Sequence, residues 1–93
     1  MKRAKASPPQ VQFELTADPG SQVFVAGTFN NWDPTANPMK DNPDSGNFKA
    51  TLPIPAGTHE YKFVVNGAWT MDPQGKHWAP NVFGSLNNVI HVN

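Results

Sequence analysis

The chain has 93 residues, 38% hydrophobic and 15% charged, which suffices for one domain around one modest core and leaves no room for a second. Ten prolines and seven glycines argue against long helices, and seven Lys plus Arg balance seven Asp plus Glu, so no net field gathers nucleic acid, an anionic membrane or an acidic substrate. Cysteine is absent, which excludes disulfides and thiolate metal sites and leaves the core to hold the fold unaided.

Residues 1–9 end in Ser7-Pro8-Pro9 and read as a flexible lead-in whose Lys2, Arg3 and Lys5 are solvated. Neither this stretch nor any later one approaches the roughly 18 apolar residues of a membrane span, and no signal peptide is evident, so a cytoplasmic location is expected. Order is expected from Gln10. Val11, Phe13 and Leu15 alternate with Gln12 and Glu14, the signature of a half-buried strand. Asp18-Pro19-Gly20-Ser21 is a turn, and Gln22 to Gly27 a second strand. The segment from Gly27 to Gly46 reads as loop, carrying Asn30-Asn31, Asp33-Pro34, Asn37-Pro38 and Asn42-Pro43-Asp44, with Met39 alone tucked under the core.

Phe48, Ala50 and Leu52 alternate with Lys49 and Thr51 as a third strand, closed by Pro53 and the turn Pro55-Ala56-Gly57. In the fourth, Thr58 to Asn66, the residues Tyr61, Phe63 and Val65 share the core face, whereas Glu60, Lys62 and Val64 face outward. Asn66-Gly67 signals a tight hairpin that returns through Ala68 to Met71 and stops at Asp72-Pro73. A polar loop to Pro80 precedes the last strand, Leu86 to Val92. Six or seven short antiparallel strands without helical periodicity predict an all-β, immunoglobulin-like β-sandwich of the early-set type.

Catalysis is not expected. Glu14 and Glu60 are the only glutamates and form no acid–base motif, and His59, His77 and His91 lack the spacing of a metal cluster, so neither metal nor cofactor is anticipated. The tryptophans carry more. Trp32 sits in a turn between Asn31 and Asp33, and Trp69 lies just past the Asn66-Gly67 turn. If exposed, such rings form a platform for the C–H face of a sugar. The residues alone leave open whether the rings stand in solvent or fold back onto the core.

Three runs in order, Val23-Phe24-Val25-Ala26-Gly27-Thr28-Phe29-Asn30-Asn31-Trp32, Gly57 through Trp69 with Asp72-Pro73, and Asn87-Asn88-Val89-Ile90, resemble family-48 carbohydrate-binding modules. That family includes the glycogen-binding domain of the AMP-activated protein kinase β subunit and N-terminal domains of isoamylases and glycogen branching enzymes. The resemblance spans residues 10–93. It implies that Trp32 and Trp69 stack on glucose rings, that Lys62 hydrogen-bonds sugar hydroxyls, and that Phe83, Ser85 and Asn87 complete the site. Phe83 stands where the family has leucine and Ser85 where it has threonine. Trp78 has no counterpart role and reads as a core or loop-packing residue in preference to a third platform ring.

The function expected is therefore non-catalytic binding of an α-1,4-linked glucan such as glycogen, starch or a maltooligosaccharide. The alternative is an interaction domain that packs against a glucan-metabolising enzyme or a kinase subunit and binds sugar weakly or not at all. Trp32, Lys62, Trp69 and Asn87 together favour sugar, because a purely structural domain has no physical reason to keep all four.

Overall fold

The computed structural model describes residues 8–41 and 45–93. Lys2, Arg3, Lys5 and the expected turn at Asn42-Pro43-Asp44 lie outside the described residues. Eight strands run in chain order: β1 Gln10–Thr16, β2 Val23–Gly27, β3 Pro38–Asp41, β4 Asn47–Pro53, β5 Gly57–Val65, β6 Ala68–Thr70, β7 Trp78–Pro80 and β8 Leu86–Val92. No described residue is helical, and none belongs to a helix long and apolar enough to cross a membrane.

All pairings are antiparallel. The order is β1-β4-β3-β2-β5-β8-β7, with β6 added to β5. Strand β3 turns the corner of the sandwich. Its Lys40 and Asp41 pair with Lys49 and Phe48 of β4, while its Pro38 and Met39 pair with Phe24 and Val23 of β2. The two layers therefore meet face to face, and the ring of Phe13 on β1 lies 5.1 Å from Tyr61 and 6.5 Å from Phe63 on β5.

Alternation in the sequence builds this core. Phe13 and Leu15 are buried while Gln12, Glu14 and Thr16 between and beyond them are exposed, as a pleated strand with one wet face requires. Phe63 and Val25 are fully enclosed at the centre. The hairpin between β5 and β6 turns at Asn66 (φ 50°) and Gly67 (φ 85°), the two positive values a type I′ turn demands.

Two strands occupy stretches expected to be loop. Strand β3 lies inside the Gly27–Gly46 segment and β7 inside the one ending at Pro80. Both are short and carry a proline at one end, where a missing N–H interrupts the ladder least. Met39 is buried as expected. Val64 is not the outward, wet residue that alternation implies; it is only 4% exposed. Phe24 and Trp69 flank it across the sheet on the same face and cover it.

Candidate functional site

The register of β5 sets Glu60, Lys62 and Val64 on the face away from the core. Strand β6 adds Trp69 opposite Val64. Strand β8 pairs Asn88 with Tyr61, so Asn87, one residue earlier, falls on the outer face beside Lys62. An open groove of about 930 Å³ runs over this face, lined by Trp32, Glu60, Lys62, Trp69, Pro80, Asn81, Val82, Phe83, Ser85 and Asn87. Every residue expected at the site, Trp32, Lys62, Trp69, Phe83, Ser85 and Asn87, lies on it. Glu60, Pro80, Asn81 and Val82 were not anticipated.

One wall is aromatic. The chain turns after β2 so that Asn31 (φ 58°) and Trp32 (φ 57°) both take left-handed backbone conformations, which cost about 1–3 kcal/mol each in residues with a Cβ. A dense set of hydrogen bonds offsets that cost. The Gly27 carbonyl accepts the N–H of Asn30 (3.1 Å) and of Trp32 (2.9 Å). The Asn30 carboxamide accepts the Gly27 N–H at 2.9 Å and donates to the Val25 carbonyl at 3.1 Å and to Asn37 Oδ1 at 2.6 Å. Trp32 is thereby held with its ring 6.3 Å from that of Trp69, the planes inclined at 56°. Trp69 is 48% exposed and Trp32 half-buried beside it. Neither ring belongs to the core.

The other wall is polar and ends in an apolar tip. Between β7 and β8 the chain closes on itself: the Asn81 N–H donates to the Ser85 carbonyl at 2.9 Å, and Gly84 takes φ 82°. Val82 and Phe83 project from this loop, 93% and 88% exposed. Ser85 Oγ accepts from Lys62 Nζ at 3.3 Å and from Asn81 Nδ2 at 2.8 Å. With both lone pairs engaged, its hydroxyl proton is left to donate elsewhere. Asn87 Oδ1 accepts from Asn81 Nδ2 at 2.9 Å, and Asn87 Nδ2 donates to Glu60 Oε1 at 2.9 Å. The ion pair found among the described residues, Lys49 with Glu14 at 3.5 Å, lies on β4 and β1, so Lys62 presents its ammonium to the groove without a carboxylate partner within salt-bridge reach.

Beneath the groove a second set of contacts anchors the end of β6. The Tyr61 hydroxyl donates to Asp72 Oδ2 at 2.7 Å, and burial, reinforced by that carboxylate, pushes the phenol well above its ordinary pKa. Buried Asn88 accepts the Asp72 N–H at 2.7 Å and donates to the Asp72 carbonyl at 3.2 Å. Trp78 pairs with Asn88 in register and so points to the opposite face from Asn87. At 58% exposed it packs in neither the core nor the groove; β7 is the sheet's last strand, and among the described residues no strand lies beyond it to cover the ring. His59 and His91 are hydrogen-bonded to Thr28 and Thr58, both at 3.1 Å.

Comparison with known proteins adds a family and relatives. The family described as the glycogen recognition site of AMP-activated protein kinase matches residues 10–93. The chain is 41% identical over 73 residues to the 5'-AMP-activated protein kinase subunit beta-2 of Mus musculus, covering 78% of this chain and 26% of that protein. It is equally similar to the beta-2 subunit of Homo sapiens, of which it covers 25%. It is 40% identical over the same length to the beta-1 subunit of Sus scrofa, of which it covers 56%. The chain thus spans about a quarter of the length of the beta-2 relatives.

Proposed function

The chain belongs to the family of the glycogen recognition site of AMP-activated protein kinase, and from that premise we propose that it is a non-catalytic module binding α-1,4-linked glucan. The observation that carries this reading is the pair of tilted rings, Trp32 and Trp69, set 6.3 Å apart along one groove with a row of hydrogen-bonding side chains. A sugar ring offers an apolar C–H face and an equatorial rim of hydroxyls. Flat aromatic faces suit the first and Lys62, Ser85 and Asn87 suit the second.

Each polar group brings a defined capacity. Lys62 donates. Ser85 donates its one remaining proton. Asn87, with one N–H on Glu60 and one lone pair on Asn81, keeps one of each for a hydroxyl. Phe83 and Val82 supply an apolar tip against the sugar. Glu60 is the one carboxylate among the described groove residues, whereas glycoside hydrolysis normally employs two, about 5–9.5 Å apart, so binding is favoured over bond cleavage. No metal or organic cofactor enters this reading, and the location proposed is the cytoplasm.

The relatives are named as kinase subunits of which this chain spans a part. Association with a kinase subunit or a glucan-metabolising enzyme is therefore a second, compatible role. Amide chemical-shift mapping with maltoheptaose tests the first. Shifts centred on Trp32, Lys62, Trp69 and residues 83–87 are expected; shifts elsewhere, or none at millimolar sugar, would remove the reading.

A further inference from the structure

We propose that Asn81 is the positioning residue of this groove, a side chain that fixes the groove's polar wall before any ligand arrives and does not itself touch the sugar. The proposal rests on the glucan-binding reading above and deepens it.

The argument starts from hydrogen-bond capacity. A primary carboxamide has two N–H donors and two acceptor lone pairs. In Asn81 all four are taken within its own loop and the strand that follows. Oδ1 accepts the N–H of Phe83 at 2.9 Å and of Ser85 at 3.2 Å. Nδ2 donates to Ser85 Oγ at 2.8 Å and to Asn87 Oδ1 at 2.9 Å. Nothing remains for a hydroxyl of a bound chain. Each of its partners, by contrast, is a residue proposed to meet sugar.

The network also has a fixed sense. At one end the Phe83 and Ser85 amides can only donate, so Asn81 must turn Oδ1 toward them and Nδ2 toward Asn87. At the other end the Glu60 carboxylate can only accept, so Asn87 must turn Nδ2 toward Glu60 and Oδ1 toward Asn81. Both constraints demand the same orientation of both carboxamides. Neither can flip without setting donor against donor, and the Asn87 atoms offered to the groove are thereby settled in advance.

The exposed tip needs such support. Phe83 is 88% in solvent, a position an apolar ring leaves when the backbone beneath it is loose, by folding onto the neighbouring indoles. Hydrogen bonds donated to Asn81 Oδ1 by the amides on either side of Gly84 oppose that collapse. A ligand then meets a formed wall and spends little of its binding free energy on ordering it.

Two measurements on the 93-residue chain test this. The first is amide hydrogen exchange of the ligand-free protein. Asn81→Ala is expected to speed exchange at Phe83 and Ser85 by about tenfold or more relative to the parent, and Asn81→Asp, which keeps an oxygen in place of Oδ1, is expected to restore slow exchange. The second is calorimetry with maltoheptaose. Asn81→Ala should weaken binding by about tenfold, and the loss should shrink to about fivefold or less when either Phe83 or Asn87 is already alanine, since residues acting through one another are not additive. Full additivity with both Phe83→Ala and Asn87→Ala would mean that Asn81 contacts the sugar directly and would overturn the proposal. The exchange arm needs no ligand. A parent that binds no glucan removes the functional reading, whereas unchanged Phe83 and Ser85 exchange in Asn81→Ala removes the positioning role itself.

Discussion

Trp69 on β6 stands directly opposite Val64 on β5, and the pair divides the aromatic face into a floor and a platform, Val64 being 4% exposed and Trp69 48%. The division separates binding from folding. Trp69→Ala is expected to leave stability within roughly 1 kcal/mol of the parent, as surface substitutions do. Glucan affinity should fall at least about tenfold, or about 1.4 kcal/mol, since a stacking contact contributes about 0.5–1.5 kcal/mol beyond its area. Phe63→Ala should do the reverse, because Phe63 is fully enclosed and emptying a core Phe site costs about 3–5 kcal/mol. Thermal melts and titrations of the two variants check both halves.

Salt supplies an independent check on the ligand's chemistry. A neutral glucan held by rings and hydroxyl contacts displaces no counterions, so raising salt to about 0.5 M should leave its affinity nearly unchanged. A steep decline would show that Lys62 is answering to an anion.

Gly27 is where the aromatic wall is hinged to the sheet. A Cβ there would collide with the Glu60 carbonyl oxygen and sit 2.6 Å from the Phe29 ring, and the same residue's carbonyl holds the Trp32 N–H. Gly27→Ala should therefore destabilise the fold by about 1–3 kcal/mol, as overpacking does, and weaken glucan binding as well by shifting the Trp32 turn. Denaturant melts and a maltoheptaose titration read the two effects; a variant with parental stability would contradict the close approach.

The Tyr61–Asp72 contact predicts an alkaline limb. Burial and the neighbouring carboxylate raise the Tyr61 phenol well above its ordinary pKa, so the folded state holds this proton more tightly than the unfolded state does. The stability it contributes is present in full below about pH 10, the unfolded pKa, and is lost as pH rises through the folded value. Because the chain has one tyrosine, ultraviolet absorbance of tyrosinate follows it alone. Absorbance at pH 10–11 should rise only on unfolding, and Tyr61→Phe should cost about 1.5–3 kcal/mol at neutral pH, as loss of a hydrogen bond to a charged group does.

How much of this was legible in the sequence depends on how local each signal is. Alternation in Tyr61-Lys62-Phe63 and the Asn66-Gly67 turn set β5 and its hairpin within a residue of their observed limits, because both signals act through neighbours along the chain. Strand β3 was missed because four residues around Pro38 carry no period of their own and become a strand only when β2 and β4 flank them. Alternation likewise misjudged Val64, whose burial comes from residues on other strands. It was silent on the rings: a turn locates the Trp32 backbone but not where its indole points.

The groove's polar wall was legible in part. Resemblance to a known family brought in Phe83, Ser85 and Asn87. Glu60 shares the outward row with Lys62 and was reachable by strand parity alone. Asn81 also left a trace, since an asparagine three residues before Gly84 is a turn signal. Its role still depends on which donors and acceptors the closed loop brings within reach, and that is a property of the folded chain.

The most direct measurement of the central claim is isothermal calorimetry of the chain with maltoheptaose and, under the same conditions, cellohexaose. A curved α-1,4 chain can lay successive rings on planes inclined at 56°, whereas a flat β-1,4 chain needs coplanar ones. Binding of maltoheptaose with no measurable heat from cellohexaose is the predicted result, and equal affinity for the two, or for neither, would contradict it.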